Sequence, residues 1–194
     1  MAIDFGREVC GDLATATRRE WLVTNGIGGF ASGTVANALS RRYHGLLTAA
    51  LQPPLGRTLL LTKLDETAEY DGVYPDSGRL TPLYVNRWED GTVEGNGHHA
   101  LNRFHLEGTT PVWTYAIANA LLEKRVWMQP GANTTYVQYH LTRATGPLGL
   151  TIKALANYRD YHSTAIVNDW SPVVEPVARG VGITMFDGAR PFYL

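Results

Sequence analysis

Apolar and polar residues alternate through the second half of the chain, a period of two that half-buried β-strands produce and helices do not. Phe104 and Leu106 alternate with Arg103, His105 and Glu107. Leu122, Val126 and Met128 share a face with Lys124, opposite Glu123, Arg125 and Trp127. Val137, Tyr139 and Leu141 oppose Tyr136, Gln138 and His140, and Leu148, Leu150 and Ile152 oppose Gly149, Thr151 and Lys153. Val181, Ile183 and Met185 repeat the pattern. The runs are punctuated by Asp71-Gly72, Pro75-Asp76-Ser77-Gly78, Asp90-Gly91, Gly95-Asn96-Gly97 and Asp187-Gly188. These residues tolerate positive φ or pre-set a turn. Many strands with turns about every ten residues predict a mainly β fold, antiparallel sheets packed as a sandwich. No repeat, low-complexity tract or linker divides the 194 residues, so one domain spanning 1–194 is expected. A chain of this length buries about 70% of its unfolded surface and needs no staple. The apolar Pro191-Phe192-Tyr193-Leu194 reads as the start of a further element, since natural termini are more often polar.

Charge and cysteine content exclude several partners. A net charge of -1 gives no general attraction to nucleic acid or to an anionic membrane. Charged residues are 18% of the chain, below the ~25% of ordinary domains, which suits a surface partly covered by another domain. Cys10 is the one cysteine and forms no internal disulfide, which favours a reducing compartment. Asp4, Glu8 and Asp12 occupy the region where a signal peptide would be basic and then apolar. The longest apolar run, Gly45 to Leu51, is far short of the ~20 residues of a membrane helix. A cytoplasmic, soluble protein is expected.

The densest local signal is the stretch Glu20 to Thr34, EWLVTNGIGGFASGT. Gly26, Gly28 and Ala31 satisfy the dinucleotide fingerprint G-x-G-x-x-[G/A]. That motif needs a following helix to aim its amides at a pyrophosphate, and an acidic residue ~20 positions on for the ribose. No acidic residue lies between Glu20 and Asp65, and the chain runs instead into Arg41-Arg42-Tyr43-His44-Gly45. The glycines are therefore read as serving tight turns or close strand packing.

Taken with Arg41 to Leu47, this stretch closely resembles the N-terminal domain of bacterial and archaeal glycogen debranching enzymes. The resemblance continues through Pro53-Pro54, Leu59 to Leu64, Pro111 to Tyr115, Leu122 to Val126, Asn133-Thr134 and Tyr158 to His162. It departs at Phe30, where tyrosine is usual, and at Val35 to Ser40, which lacks a glycine before the arginine pair. The resemblance implies an antiparallel β-supersandwich of the galactose mutarotase type. It further implies a catalytic (α/α)6 barrel downstream, outside this chain, whose carboxylates hydrolyse α-1,6-glucosidic branch points. The chain alone is then expected to be inactive, supporting the barrel and shaping its glucan cleft. A stand-alone carbohydrate-binding module and a mutarotase-like sugar enzyme are the alternatives.

Glycoside hydrolysis requires two carboxyl groups flanking the bond. Glu20, Asp65, Glu66, Glu69, Asp71, Glu123 and Asp160 are the candidates, but sequence spacing brings no two together, and no catalytic residue is assigned. The six histidines lack tight zinc spacing and cysteine companions, so no metal and no cofactor is expected. Trp113 and Trp127 are expected in the core. Two clusters stand out: Arg41, Arg42, Tyr43 and His44, and Arg159, Tyr161 and His162 around Asp160. Guanidinium donors meet sugar hydroxyls, and ring faces stack on the apolar face of a sugar. The same residues would equally form an Arg–Asp structural network. Both clusters are expected on one face, contacting substrate or the neighbouring domain.

Overall fold

The computed structural model describes residues 3–52, 56–70, 80–164 and 170–194. The turns expected at Asp71-Gly72 and at 75–78, and the Pro53-Pro54 pair, lie outside the described residues. The first strands are β1 (Asp4–Phe5), β2 (Glu20–Thr24), β3 (Phe30–Thr34), β4 (Gly45–Gln52), β5 (Gly56–Tyr70) and β6 (Leu80–Pro82). They are followed by β7 (Asn86–Arg87), β8 (Val93–Glu94), β9 (Leu101–Glu107), β10 (Thr110–Ile117) and β11 (Ala120–Met128). The chain continues through β12 (Thr135–Arg143), β13 (Leu148–Asp160), β14 (Val173–Val177), β15 (Gly180–Thr184) and β16 (Phe192–Tyr193). Single-turn helices α1 (Arg7–Cys10) and α2 (Leu13–Ala16) separate β1 from β2.

Two antiparallel sheets carry the fold, in the orders β1-β9-β10-β11-β12 and β13-β5-β4-β3-β2, with β6 added to β5. Their facing surfaces close on one hydrophobic core. Trp21, Val23, Ala31, Leu46, Leu61 and Ala68 come from one sheet, and Phe104, Trp113, Tyr115, Leu122 and Val126 from the other. Trp21 meets Trp113 edge-on across the gap, with ring centroids 5.3 Å apart, an arrangement worth about 0.5–1.5 kcal/mol beyond area burial. On the far side of the second sheet, a three-stranded sheet β14-β15-β16 packs Ile183, Met185 and Phe192 against Ala49 and Leu60. Residues 191–194 thus belong to this outer layer, where Leu194 and Val181 exchange backbone hydrogen bonds of 2.8 and 3.0 Å.

The alternating runs fall within strands, save Met185, which lies one residue past the end of β15, and β11 alternates without a break from Ala120 to Met128. Trp113 is fully buried. Trp127 differs from expectation: it lies on the outer face of β11, half-buried, stacked on Tyr136 at 5.3 Å. Its odd position in the alternation decides this, overriding the general tendency of tryptophan toward the core. Leu141 and Ile152 are on the expected face yet 38% and 43% exposed. They sit on β12 and β13, the end strands of their sheets, where no further described strand shields them.

The N-terminal segment is stitched into the sandwich. β1 pairs with β9, and Arg103 donates to both carboxylate oxygens of Asp4 at 2.8 and 2.7 Å. Cys10 is buried, its thiol 3.4 Å from the Phe5 carbonyl oxygen, and burial pushes it up to about 11. Such a thiol is almost wholly protonated at neutral pH and is a poor nucleophile.

Two buried ion pairs flank β5. Lys124 donates to Glu66 Oε1 at 2.5 Å, and Tyr139 donates to the same oxygen at 2.6 Å. Glu66 and Lys124 are 1% and 3% exposed, so a charge pair bridges the two sheets inside the core. On the other side of β5, Lys63 pairs with Asp65 at 2.9 Å. It also donates to the Asn37 and Val85 carbonyls and to Asn86 Oδ1, at 3.2, 2.9 and 2.8 Å. This pair ties the turn at Asn37 and the segment before β7 onto the sheet.

Candidate functional site

The glycine-rich segment is a β-hairpin. β2 and β3 pair from Glu20↔Thr34 to Thr24↔Phe30, and the turn between them has positive φ at Gly26 (79°) and Gly28 (99°). No helix follows to receive a pyrophosphate, as the missing acidic residue indicated. Asn25 organises the turn: its Oδ1 accepts from the amides of Ile27 (3.1 Å) and Gly29 (2.9 Å). Its Nδ2 donates to the Ala132 carbonyl at 3.0 Å and to Asn133 Oδ1 at 3.1 Å. Asn133 in turn makes a two-point match with the backbone of Ala50, at 2.9 and 3.1 Å. A Cβ on Gly29 would come within 2.4 Å of Asn25 Nδ2 and 2.8 Å of Asn133 Oδ1, so this position requires glycine. The β2–β3 turn, the loop between β11 and β12, and β4 are thereby fixed at one end of the sandwich.

Upon this base, the segment after β3 meets the end of β13. Arg57 donates from Nε to the Gly28 carbonyl at 2.6 Å. Its Nη1 donates to the Tyr161 hydroxyl at 3.3 Å, and its guanidinium lies 5.4 Å from the centre of that ring. Tyr161 is ringed by Phe30, Tyr43 and His162, at centroid distances of 6.3, 5.8 and 3.9 Å. The Tyr43 hydroxyl lies 3.2 Å from His162 Nδ1. Arg42 donates to the His162 carbonyl at 2.8 Å and lies over Tyr43. Arg159 fans its donors over the carbonyls of Asp160 (3.2 Å), Tyr161 (3.3 Å) and Ser163 (2.7 Å), and reaches the Arg42 carbonyl. Burial, together with the Arg42 guanidinium, lowers the Arg159 pKa from its ordinary value. Asp160 Oδ1 accepts from the His162 amide at 2.9 Å.

Arg42, Tyr43, Arg159, Tyr161 and His162 therefore share one surface, although about 120 residues separate the two clusters in sequence. Tyr43, Arg42 and His162 are exposed there. Arg41 and His44 turn the other way. Arg41 donates to Glu20 at 2.6 Å. His44 is buried, accepts at Nδ1 from the Ser40 amide at 3.2 Å, and has Nε2 3.6 Å from Glu20. Arg57, Phe30, Asn25 and Asn133 complete the surface or its base. Asn25 ahead of a turn glycine carried a legible signal, since Asn side chains cap such turns. Arg57, an isolated arginine at the start of β5, carried none.

Burial holds the His44 imidazole below its ordinary value of 6.5, against the pull of Glu20. The unfolded chain takes up a proton at His44 at higher pH than the folded chain does. This contribution to stability is complete above about pH 6.5 and is lost on acidification toward the lower folded value. Protonation at Nδ1 would also break the Ser40 bond. The thermal midpoint is expected to fall between about pH 7.5 and about pH 5.5, and His44→Asn, which keeps an acceptor for Ser40, is expected to flatten that slope. An identical slope in the variant contradicts this assignment.

The candidate carboxylates are mostly engaged elsewhere: Glu20 with Arg41, Asp65 with Lys63, Glu66 with Lys124, and Glu123 with Arg125. Asp65 and Glu66 sit on opposite sides of β5. Glu69 is exposed, and Asp71 lies outside the described residues. Among the described residues no three His, Cys, Asp or Glu side chains form a group able to hold a metal, and no helix is long and apolar enough to cross a membrane.

No curated protein and no solved structure matches the chain at significance. A family model described as "Glycogen debranching enzyme N terminal" matches residues 19–194. That span includes the hairpin, Arg57 and both arginine–aromatic clusters, while residues 3–18, though part of the sandwich, fall outside it. The chain belongs to the glycogen debranching enzyme N-terminal domain family.

Proposed function

We propose that this chain is the non-catalytic N-terminal domain, a β-supersandwich of the mutarotase type, of a cytoplasmic debranching-type α-1,6-glucosidase. It supports a catalytic (α/α)6 barrel in the same polypeptide and presents the Tyr43–Tyr161 surface to that barrel and its α-glucan. The observation that carries this reading is the convergence of Arg42, Tyr43, Arg57, Tyr161 and His162 at one end of the sandwich. The two hydroxyls are engaged within the cluster, Tyr43 with His162 Nδ1 and Tyr161 with Arg57. The exposed rim is formed by Arg42, Tyr43 and His162, with ring faces and the remaining guanidinium and imidazole N–H groups. Rims of this kind at the end of a rigid scaffold commonly carry binding. The carboxylates support the non-catalytic role, because those of Asp65 and Glu66 are held by lysines inside the fold and carry no free acid–base pair to a bond.

The test is a hydrolysis assay on a branched limit dextrin with the purified chain. No release of glucose is expected. Turnover that disappears when a carboxylate of this chain is replaced by its amide contradicts the proposal.

A further inference from the structure

A cleft of about 280 Å³ opens beside the Tyr161 surface, at the end of the β4–β5 pair, and is lined in part by Gln52, Arg57, Thr58, Tyr158, Asp160 and Arg190. Its walls follow from strand register. Asp160 is the direct partner of Thr58 across β13 and β5, and Tyr158, within the irregularity between Ala156 and Arg159, lines the same cleft. The loop before β16 closes the other side, anchored by the Arg190 amide donating to the Tyr158 hydroxyl at 3.2 Å. Arg190 is exposed, and its guanidinium has no hydrogen-bond partner among the described residues. Asp160 commits Oδ1 to the His162 amide, which leaves Oδ2 for a ligand. Leu51 contributes apolar surface to the lining.

We infer that this cleft is a binding subsite for a single neutral pyranose unit, the chain end of an α-glucan. The inference rests on the α-glucan reading proposed above and deepens it. A sugar ring offers hydroxyls that both donate and accept, along with an apolar face. The cleft supplies a carboxylate acceptor in Asp160, a guanidinium donor in Arg190, an amide in Gln52 that does both, and apolar surface from Leu51 and the Tyr158 ring, while the Arg57 guanidinium is engaged with Gly28 and Tyr161. The Asp160 carboxylate offsets the Arg190 charge and places a like charge beside the other ligand that an arginine takes, a phosphate or carboxylate anion, which disfavours it. The volume lies at the lower limit of ligand pockets, about 300 Å³, which fits one ring and not an oligomer.

The test is calorimetric titration of maltopentaose into the chain and its variants. Saturable binding is expected for the unaltered chain, weakened at least tenfold by Arg190→Ala and by Asp160→Asn. The asparagine keeps an acceptor for the His162 amide, so the loop stays in place. Lys153→Ala, seven residues back along β13 and about 20 Å away by strand rise, is expected to bind as the unaltered chain does. Absence of saturable binding, or equal binding by all variants, overturns the subsite. Displacement of maltopentaose by inorganic phosphate identifies an anion site and overturns it as well. None of these results touches the docking of the barrel, which is read by a separate experiment.

Discussion

Lys124→Met is expected to destabilise the chain by about 3–5 kcal/mol, the usual cost of breaking a buried ion pair by removing one partner. For a chain of this length that lowers the thermal midpoint by on the order of 10 °C. The reason is the location of the pair. Glu66 lies on β5 in one sheet, and Lys124 and Tyr139 lie on β11 and β12 in the other. Without the ammonium, the carboxylate keeps only the Tyr139 hydroxyl, and its Oε2 has no hydrogen-bond partner as it is. Lys124 also lies 5.7 Å from the centre of the Trp113 ring, a contact that methionine replaces with neutral packing. The double variant Lys124→Met/Glu66→Gln is expected to recover most of the loss, because the amide carries no charge and its oxygen still accepts from Tyr139. Paired interactions show this non-additivity in double-mutant cycles. A loss below about 1 kcal/mol for Lys124→Met alone, the range of exposed pairs, contradicts a desolvated pair. Thermal unfolding followed by circular dichroism reads both variants.

That ion pair also marks how far the sequence carries. The alternation in β11 places Lys124 among Leu122, Val126 and Met128, and the structure keeps it on that buried face. The sequence states that a charge enters the core but not what neutralises it, because Glu66 lies 58 residues away on another sheet. The same division applies to the candidate site. Residue types name Arg42, Tyr43, Arg159, Tyr161 and His162, and the lack of an acidic residue between Glu20 and Asp65, with no helix after the glycines, argues against the nucleotide fold. Sequence adjacency says nothing about which of the residues 41–44 point together. In the structure Arg42 and Tyr43 reach His162, whereas Arg41 and His44 are drawn to Glu20 on β2. Arg57 and the cleft at Arg190 depend on the pairing of β5 with β13 and on the docking of the outer sheet. Both are long-range events without a local signature. Trp127 shows the converse: strand period predicted its face correctly, and residue type alone did not.

The central claim is that the Tyr43–Tyr161 surface contacts the catalytic barrel, and Arg159 is the residue on which that surface depends. Its guanidinium reaches four backbone carbonyls, three in its own turn and one at Arg42. It holds the segment 160–163 against the segment 42–43 in a way that a single ammonium would not reproduce. Arg159→Ala is therefore expected to leave the sandwich folded, with both hydrophobic clusters intact, and to release the two segments from each other. The direct measurement is amide hydrogen exchange of this chain alone and of a polypeptide that joins it to the proposed catalytic domain. The account predicts slower exchange on joining at 41–44, 56–58 and 158–163, no change at the β9–β10 turn around Gly108, and loss of the slowed exchange in Arg159→Ala. Protection confined to other surfaces, or an unchanged pattern in Arg159→Ala, would contradict it.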